Sequence, residues 1–478
     1  MARVLILSLF LAGLIFGQNY LPGRERAVSL PREFRAAWVA TVYNIDWPSQ
    51  KGLAKARQQA ELRAILDRAE SLNLNAIIFQ VRPNADAVYQ SSLEPWSHWI
   101  SGAQGRSPGY DPLSYCIAEA HQHGIEVHAW FNPFRALPNA EIPTAQNHVV
   151  KTTPSVIRDF KTSKWMDPSS AFTQKRALAV MMDVVARYDI DGLHIDDYFY
   201  PYPDVDPEGR AKQVFPDGKS PEERRAVVDR FVQVMYQMVK KKKPWVRVGI
   251  SPFGIWRPGV PAGTTARIDA YHHLAADSRK WLQQGWCDYL SPQLYWRIEG
   301  PQSFSRLLQW WRGQGNRPVW PGLASARIQS SEDPGRPAKE LLDQVNLTRV
   351  VGAEKNYAGH VFWSMTSLMK DRGGLASELS EKHFREPALV PPMTWLSRKT
   401  PGTPSVRVRV EKGDLVLTWN AIEGCNKYAI QTREGQKWTL REVTSAKTIT
   451  LEDLPDAVAI SAVDRFGNVS QAFVLTKS

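Results

Sequence analysis

Residues 191–198 read Asp-Gly-Leu-His-Ile-Asp-Asp-Tyr. A short apolar strand opens on Asp191-Gly192, ends in two adjacent carboxylates, Asp196 and Asp197, and runs into Tyr198-Phe199-Tyr200. Carboxylates at the C-terminal end of a strand lie where a β/α barrel carries its chemistry. Carboxylates beside aromatic rings suit glycoside hydrolysis, in which one carboxyl protonates the leaving oxygen and a second acts as base or nucleophile. Side chains alternate along a strand, so His194, Asp196 and Tyr198 share one face and Leu193, Ile195 and Asp197 the other. The polar set is expected to face the barrel mouth. Asp196 is therefore the first candidate catalytic carboxylate, as nucleophile or general base, and Asp197 can still turn inward where the strand ends. The structural alternative is that the pair caps the next segment or binds an arginine.

Either glycosidase mechanism needs a second carboxyl, about 5–5.5 Å away for retention and about 6.5–9.5 Å away for inversion. No Glu ends a predicted strand. Asp86, which follows Arg82-Pro83-Asn84-Ala85, is the second catalytic candidate. Asp46 is the third and also a candidate sugar contact; Glu94 and Glu299 are further options. Arg82, Asn132, His194, Tyr198, Gln293 and Tyr295 stand at polar strand ends as candidate partners for sugar hydroxyls or acetamido groups. Trp130, Trp256, Trp296 and Trp363 are candidate stacking rings, with core packing the alternative for each in a chain of 18 Trp. His128 and His194 with Asp196 raise a metal-dependent deacetylase or amidohydrolase as a competing class. No His-x-His or His-Glu-x-x-His spacing supports it, so neither a metal nor a cofactor is expected.

Eight strand-like segments position these residues: 34–42, 76–81, 126–130, 192–196, 246–250, 289–295, 319–324 and 359–363. Helical patterns fill the slots between and after them, at 54–72, 111–123, 174–188, 221–242, 277–284, 303–311, 338–351 and 375–383. Strand–helix alternation repeated eight times predicts an α/β fold, a (β/α)8 barrel, and no Gly-rich phosphate fingerprint follows the first strand. Two long connections, 84–110 and 136–173, follow strands and are expected to wall a groove on the catalytic face. The stretch 386–404 holds Pro387, Pro391, Pro392, Pro401 and Pro404 and reads as a stiff linker after a barrel spanning 31–385. Beyond it only strands are predicted, at 406–410, 414–419, 427–432, 448–451 and 458–463, so 405–478 is expected to be a small all-β sandwich. A chain ending near Glu386 is expected to fold by itself; the alternative is that Leu389, Val390, Met393 and Trp395 pack against the barrel, so that truncation bares an apolar patch and causes aggregation.

The 478 residues carry a net charge of +12, yet the only dense basic run is 240–243, at a predicted helix end where cations complement the helix dipole. Nucleic acid is therefore not an expected partner; an anionic envelope polymer is. Residues 1–17 combine Arg3 with an apolar stretch too short to span a bilayer, and read as a secretory signal. The protein is expected to be exported, as a periplasmic, wall-associated or secreted protein. Cys116, Cys287 and Cys425 are too scattered for a disulfide frame or a zinc site.

Several segments together are similar to one known family. They are residues 34–42 with Asn44 and Asp46-Trp47-Pro48, Phe79-Gln80-Val81-Arg82-Pro83, the 191–198 run, Ser251-Pro252-Phe253-Gly254, residues 291–296, and residues 359–364. They resemble the bacterial glycosyl-hydrolase-like family 10. That resemblance implies a β/α barrel hydrolysing cell-envelope glycans, with peptide-free peptidoglycan strands as the favoured polysaccharide. The competing reading is a glycan-binding protein on a barrel scaffold. The fourth strand is also similar in spacing to chitinase-like and amylase-like barrels, which agree on Asp196 and disagree on its partner. Leu417-Thr418-Trp419-Asn420, Lys427-Tyr428-Ala429-Ile430 and residues 461–470 resemble a fibronectin type III domain, an immunoglobulin-like sandwich.

Overall fold

The computed structural model describes residues 20–478 except 207, 209, 213, 214 and 356. The expected signal, 1–17, lies outside the described residues. Eight parallel strands form the barrel: β1 (Phe34–Val39), β2 (Ala76–Arg82), β3 (Glu126–Phe131), β4 (Gly192–Ile195), β5 (Arg247–Ile250), β6 (Tyr289–Leu290), β7 (Gly322–Leu323) and β8 (Gly359–Phe362). Their order is β6-β5-β4-β3-β2-β1-β8-β7. Parallel bridges Leu290–Val319 and Gln293–Gly322 join the two ends and close the ring.

The period-2 pattern of the strands sorts the core into two layers. Phe34, Ala36 and Trp38 point inward to meet Ile78, Trp130, Tyr289, Trp320 and Val361. Ala37, Val39, Ile77, Phe79, Leu193 and Ile195 point outward into the layer under the helices. Each helix meets that layer through the stripe its sequence carries, as Lys55–Ser71 does with buried Leu62, Ile65, Leu66 and Ala69. Local signals set the helix starts. Ser220 and Glu223 form a capping box ahead of Pro221, and Asp111 caps the helix that begins at Pro112. The 136–173 connection folds into a three-stranded antiparallel sheet of Arg135–Leu137, Ser163–Met166 and Ile157–Phe160.

The second unit is all-β, with two sheets facing across Leu417, Trp419, Tyr428, Ile430 and Ile460. One sheet pairs Val406–Glu411, Asp414–Trp419 and Thr448–Leu451; the other pairs Phe473–Lys477, Ala457–Asp464, Cys425–Glu434 and Lys437–Thr444. Two strands, Lys437–Thr444 and Phe473–Lys477, add to the five expected. Tyr20–Pro22 completes the larger sheet by pairing with Phe473–Lys477, and the Tyr20 hydroxyl donates to Pro455 O at 2.6 Å.

The proline-rich stretch is not a spacer. Leu389, Val390 and Met393 are buried. Leu389 exchanges backbone hydrogen bonds with Pro31 and Glu33, Met393 N donates to Phe466 O, and Trp395 Nε1 donates to Asp288 Oδ1 at 3.0 Å. These contacts strap the sandwich against the N-terminal face of the barrel. Charged pairs continue the seam: Lys427 Nζ to Glu126 Oε1 (3.4 Å) and Arg465 Nη2 to Asp189 Oδ2 (2.6 Å), with Arg247 Nε of the barrel also on Glu126 Oε2 (3.5 Å). Burial alone would push the Glu126 carboxyl up, but Lys427 and Arg247 hold it well below the usual carboxylate range. A narrow cavity of about 160 Å³ remains between the two units.

The expectation of an independently folding barrel gives way to this seam. A chain ending after Glu386 would expose the face that Leu389, Val390 and Met393 cover, and is expected to aggregate; a soluble truncated barrel with the full chain's melting temperature would contradict the seam's importance. In the full chain, Met393→Asp is expected to cost about 3 kcal/mol or more, read by denaturant unfolding.

Candidate active site

Asp196 follows the last residue of β4, and the strand reaches it through two glycine accommodations. Any side chain at Gly192 would overlap the His128 imidazole, and any at Gly249 would overlap the Tyr289 ring. Those two inward-pointing rings thus fill the barrel axis below His194. The His128 and His194 Nδ1 atoms both contact the Tyr289 hydroxyl, at 2.8 and 3.0 Å. Trp38 Nε1, which can only donate, faces His194 Nε2 at 3.4 Å, beside the Ser251 hydroxyl at 2.9 Å. His194 Nε2 is therefore an acceptor and its Nδ1 carries the proton. Tyr289 accepts that proton and donates its own to His128 Nδ1, and His128 Nε2–H points to Glu126 Oε2 at 3.3 Å. Burial, with His128 nearby, drives His194 well below the usual imidazole range, so this column is uncharged at His194.

Above the column lies a cavity of about 380 Å³ at the C-terminal ends of the strands. Trp38 comes from β1, Trp130 from β3, and Asp196, Asp197 and Tyr198 from the end of β4. Ser251 follows β5, Gln293 and Tyr295 follow β6, Arg327 and Glu332 follow β7, and Trp363 follows β8. Trp38, Trp130 and Trp363 meet edge to face, with Trp363 centred 6.0 Å from Trp38 and 6.2 Å from Trp130. They make an apolar floor beside the carboxylates.

Asp196 Oδ2 accepts from Trp130 Nε1 (3.0 Å) and Asn132 Nδ2 (3.2 Å), whereas Oδ1 has only the Tyr198 amide at 3.5 Å. Asn132 is itself fixed, because its Oδ1 accepts from Arg135 N at 3.0 Å. Burial pushes the Asp196 carboxyl up to about 7; Arg135 opposes this and the Asp197 charge reinforces it. Asp197 is also pushed up by burial and pulled back by hydrogen bonds from the Tyr202 hydroxyl and from Gln293. The Arg135 guanidinium sits 4.4 Å over the Tyr198 ring, close to both carboxylates.

Of the residues expected at the site, Asp196, Asp197, Trp130, Tyr198, Gln293, Tyr295 and Trp363 line this cavity, and Asn132 and His194 support it from beneath. Five others are placed elsewhere. Arg82 is fully buried against Glu94 in a two-pronged ion pair of 2.6 and 2.8 Å, and its Nη1 donates to Asn132 O. It braces the β3 end and does not reach the cavity. Asp86 is buried, accepts from Gln104 Nε2 at 3.1 Å and Asn84 N at 3.3 Å, and does not line the cavity. Burial pushes it up to about 7, which makes it a neutral structural carboxyl for much of the acid range. Asp46 ties the β1 end to the β8 loop, accepting from Ala40 N, Ser364 Oγ and Thr366 N at 2.6–2.8 Å. Trp256 stacks on Trp310, and Trp296 packs edge-on against Phe253, both in the outer layer.

The geometry adds residues that sequence reasoning did not single out: Trp38, Ser251, Arg135, Tyr202 and Glu332. Trp38 carried a readable signal, since it shares the inward parity of Phe34 and Ala36 on β1. Glu332 stands on an irregular loop, paired with Arg327 Nε at 3.2 Å, where no periodicity marks it. Among the described residues, no group of three His, Cys, Asp or Glu is placed to hold a metal ion.

The chain is similar in sequence to characterised families of proteins. In Bacillus subtilis (strain 168), glycosyl hydrolase YngK is 35% identical over 504 residues, covering 97% of each chain. Glycosyl hydrolase DigH of Escherichia coli (strain K12) is 33% identical over 303 residues, covering 58% of this chain and 69% of its own. Among solved structures, the PgaB (BpsB) glycoside hydrolase domain from Bordetella bronchiseptica superposes with a TM-score of 0.46 at 14% identity, over 73% of this chain and 98% of that one. The family model described as glycosyl hydrolase-like 10 matches residues 33–331, the span that builds the barrel from β1 to the loop after β7 and carries every carboxylate of the cavity but Glu332. The chain belongs to the glycosyl hydrolase-like 10 family.

Proposed function

We propose that the protein hydrolyses glycosidic bonds in a cell-wall glycan, with peptide-free peptidoglycan strands as substrate. The observation that carries the reading is the pairing of Asp196, a buried carboxyl pushed up to about 7, with Asp197 in one tryptophan-floored cavity at the barrel mouth. Asp196 is the proton donor in this reading, which reverses the nucleophile or base role expected from its position alone. Its Oδ2 is held by two donors, and Oδ1 is left to carry the proton toward a glycosidic oxygen. Asp197, held by hydrogen bonds from Tyr202 and Gln293, is the partner that orients a water or the substrate's acetamido group. Trp38, Trp130 and Trp363 supply ring faces for the sugars. Support for a wall polymer comes from the net charge of +12 and the apolar leader-like segment at 1–17, which also favour export and association with the envelope. The all-β unit fits a fibronectin type III-like module that serves as a spacer or dock.

Asp196→Asn is expected to lower kcat on peptide-free glycan by about 10³-fold or more, equivalent to about 4 kcal/mol, with glycan still bound. Near-normal cleavage by this variant would remove Asp196 from the chemistry. Binding without cleavage by the wild type would favour a glycan-binding role.

A proton donor must be protonated to act, so kcat/KM is expected to fall as pH rises through about 7, and this limb should vanish in the residual activity of Asp196→Asn. A wild-type rate that instead climbs through the same interval would assign Asp196 as base or nucleophile.

The same burial has a stability cost of known sign. The folded-state value lies above the unfolded value near 4, so the favourable contribution is complete below about pH 4 and is lost as pH rises through about 7. Asp196→Asn should match the wild type near pH 4 and be more stable by up to about 4 kcal/mol at pH 8, as read by denaturant unfolding. An equal or reversed gap would show that Asp196 is not strained by its burial.

A further inference from the structure

The barrel face that carries the cavity holds a second aromatic group, off β1 and β2. Just past β1 the chain makes a tight turn in which Tyr43 (φ 55°) and Asn44 (φ 53°) both take the left-handed conformation that disfavours residues with a Cβ. The surroundings impose this shape. Thr41 N and Val42 N both donate to Gln80 Oε1, at 3.0 and 2.9 Å, and Asn44 Nδ2 donates to Pro48 O (2.9 Å) and Trp99 O (3.0 Å). The product of the strain is an outward ring. Tyr43 is 55% exposed, and its inner edge rests on Trp99, 5.0 Å between centroids. Trp99 lies in turn against His98, 3.9 Å away. Burial, with the Lys51 charge, takes His98 down to about 4, so at neutral pH this group presents an uncharged ring surface.

Packing on Trp99 accounts for one edge of the Tyr43 ring and leaves the rest open to solvent, and backbone strain of this kind collects at ligand-binding positions. An exposed aromatic ring backed by buried Trp99 and His98 suits the C–H face of a sugar. Its position suits a polymer. The cavity is lined from seven strand ends, and β2 alone sends nothing into it. Tyr43 follows Trp38, the β1 ring that lines the cavity, by five residues, so a glycan that extends beyond the cavity on the β1–β2 side is the ligand within its reach.

We propose that Tyr43, Trp99 and His98 form a distal subsite that stacks on a sugar ring of a long glycan, so that chain length is sensed away from the reacting bond. The proposal rests on the glycan-hydrolase reading above. The test uses full-length protein and peptide-free glycan strands fractionated by length, comparing wild type, Tyr43→Ala and Tyr43→Phe. Tyr43→Ala is expected to lower the ratio of kcat/KM on long strands to that on the shortest cleaved strands by ~5-fold or more, through KM, a change of the size that one stacking contact supplies. Tyr43→Phe, which keeps the ring, should retain most of the wild-type ratio. Equal melting temperatures will show that the turn survives. A ratio unchanged in Tyr43→Ala, with cleavage intact, overturns the subsite alone; an equal loss on all lengths overturns it as a length sensor. Absence of both binding and cleavage in the wild type overturns the functional reading and the subsite with it.

Discussion

Polar side chains buried among aromatic rings along a barrel axis are costly unless they hydrogen-bond to one another. In this chain one column does this for His194, Tyr289 and His128. Trp38 and Ser251 donate to His194, His194 donates to Tyr289, Tyr289 to His128 and His128 to Glu126, which the Arg247 and Lys427 charges hold ionised. Each proton position follows from the one before it, because the indole at one end can only donate and the carboxylate at the other can only accept. The column explains the glycines of β4 and β5, which make room for the rings, and it sets the floor on which Asp196 stands. It also explains why His194, though next but one to Asp196, belongs to the scaffold. Its nitrogens are committed to neighbours.

The carboxylates above the column owe their character to burial as well. Asp196 and Asp86 are both buried, both hydrogen-bonded and both pushed up to about 7. Only location separates them. Asp196 meets the cavity through an oxygen with no strong partner, whereas Asp86 is enclosed among Asn84, Ser97 and Gln104. A raised carboxyl is thus a property of burial in this fold, and access to the mouth is what distinguishes a chemical role from a structural one.

Much of the barrel could be read in the linear chain because helices and strands announce themselves by period. All eight strand segments and their helices lie where the apolar spacing puts them, and parity along β4 places Asp196 inward. The misreadings have a common physical source. Residues 386–404 have a linker's composition, but the apolar side chains of Leu389, Val390 and Met393 are what seat the strap, and prolines do not prevent an extended segment from packing. Lys437–Thr444 is an edge strand whose charged residues hide its alternation, and Tyr20–Pro22 finds its partner more than 450 residues away. Arg82 looked like a ligand-binding residue because it ends a strand. Its partner Glu94 sits twelve residues on, in a loop whose path no local rule gives.

The pairing of Tyr20–Pro22 with Phe473–Lys477 has a consequence for how the molecule presents itself. Both ends of the described chain leave from one sheet, and that sheet belongs to the unit strapped beneath the barrel, on the face opposite the mouth. The first and last described strands therefore lie side by side on the underside. A molecule held by this sheet would stand with its mouth pointing away from the point of hold, its reach set by the height of the sandwich and barrel stacked together.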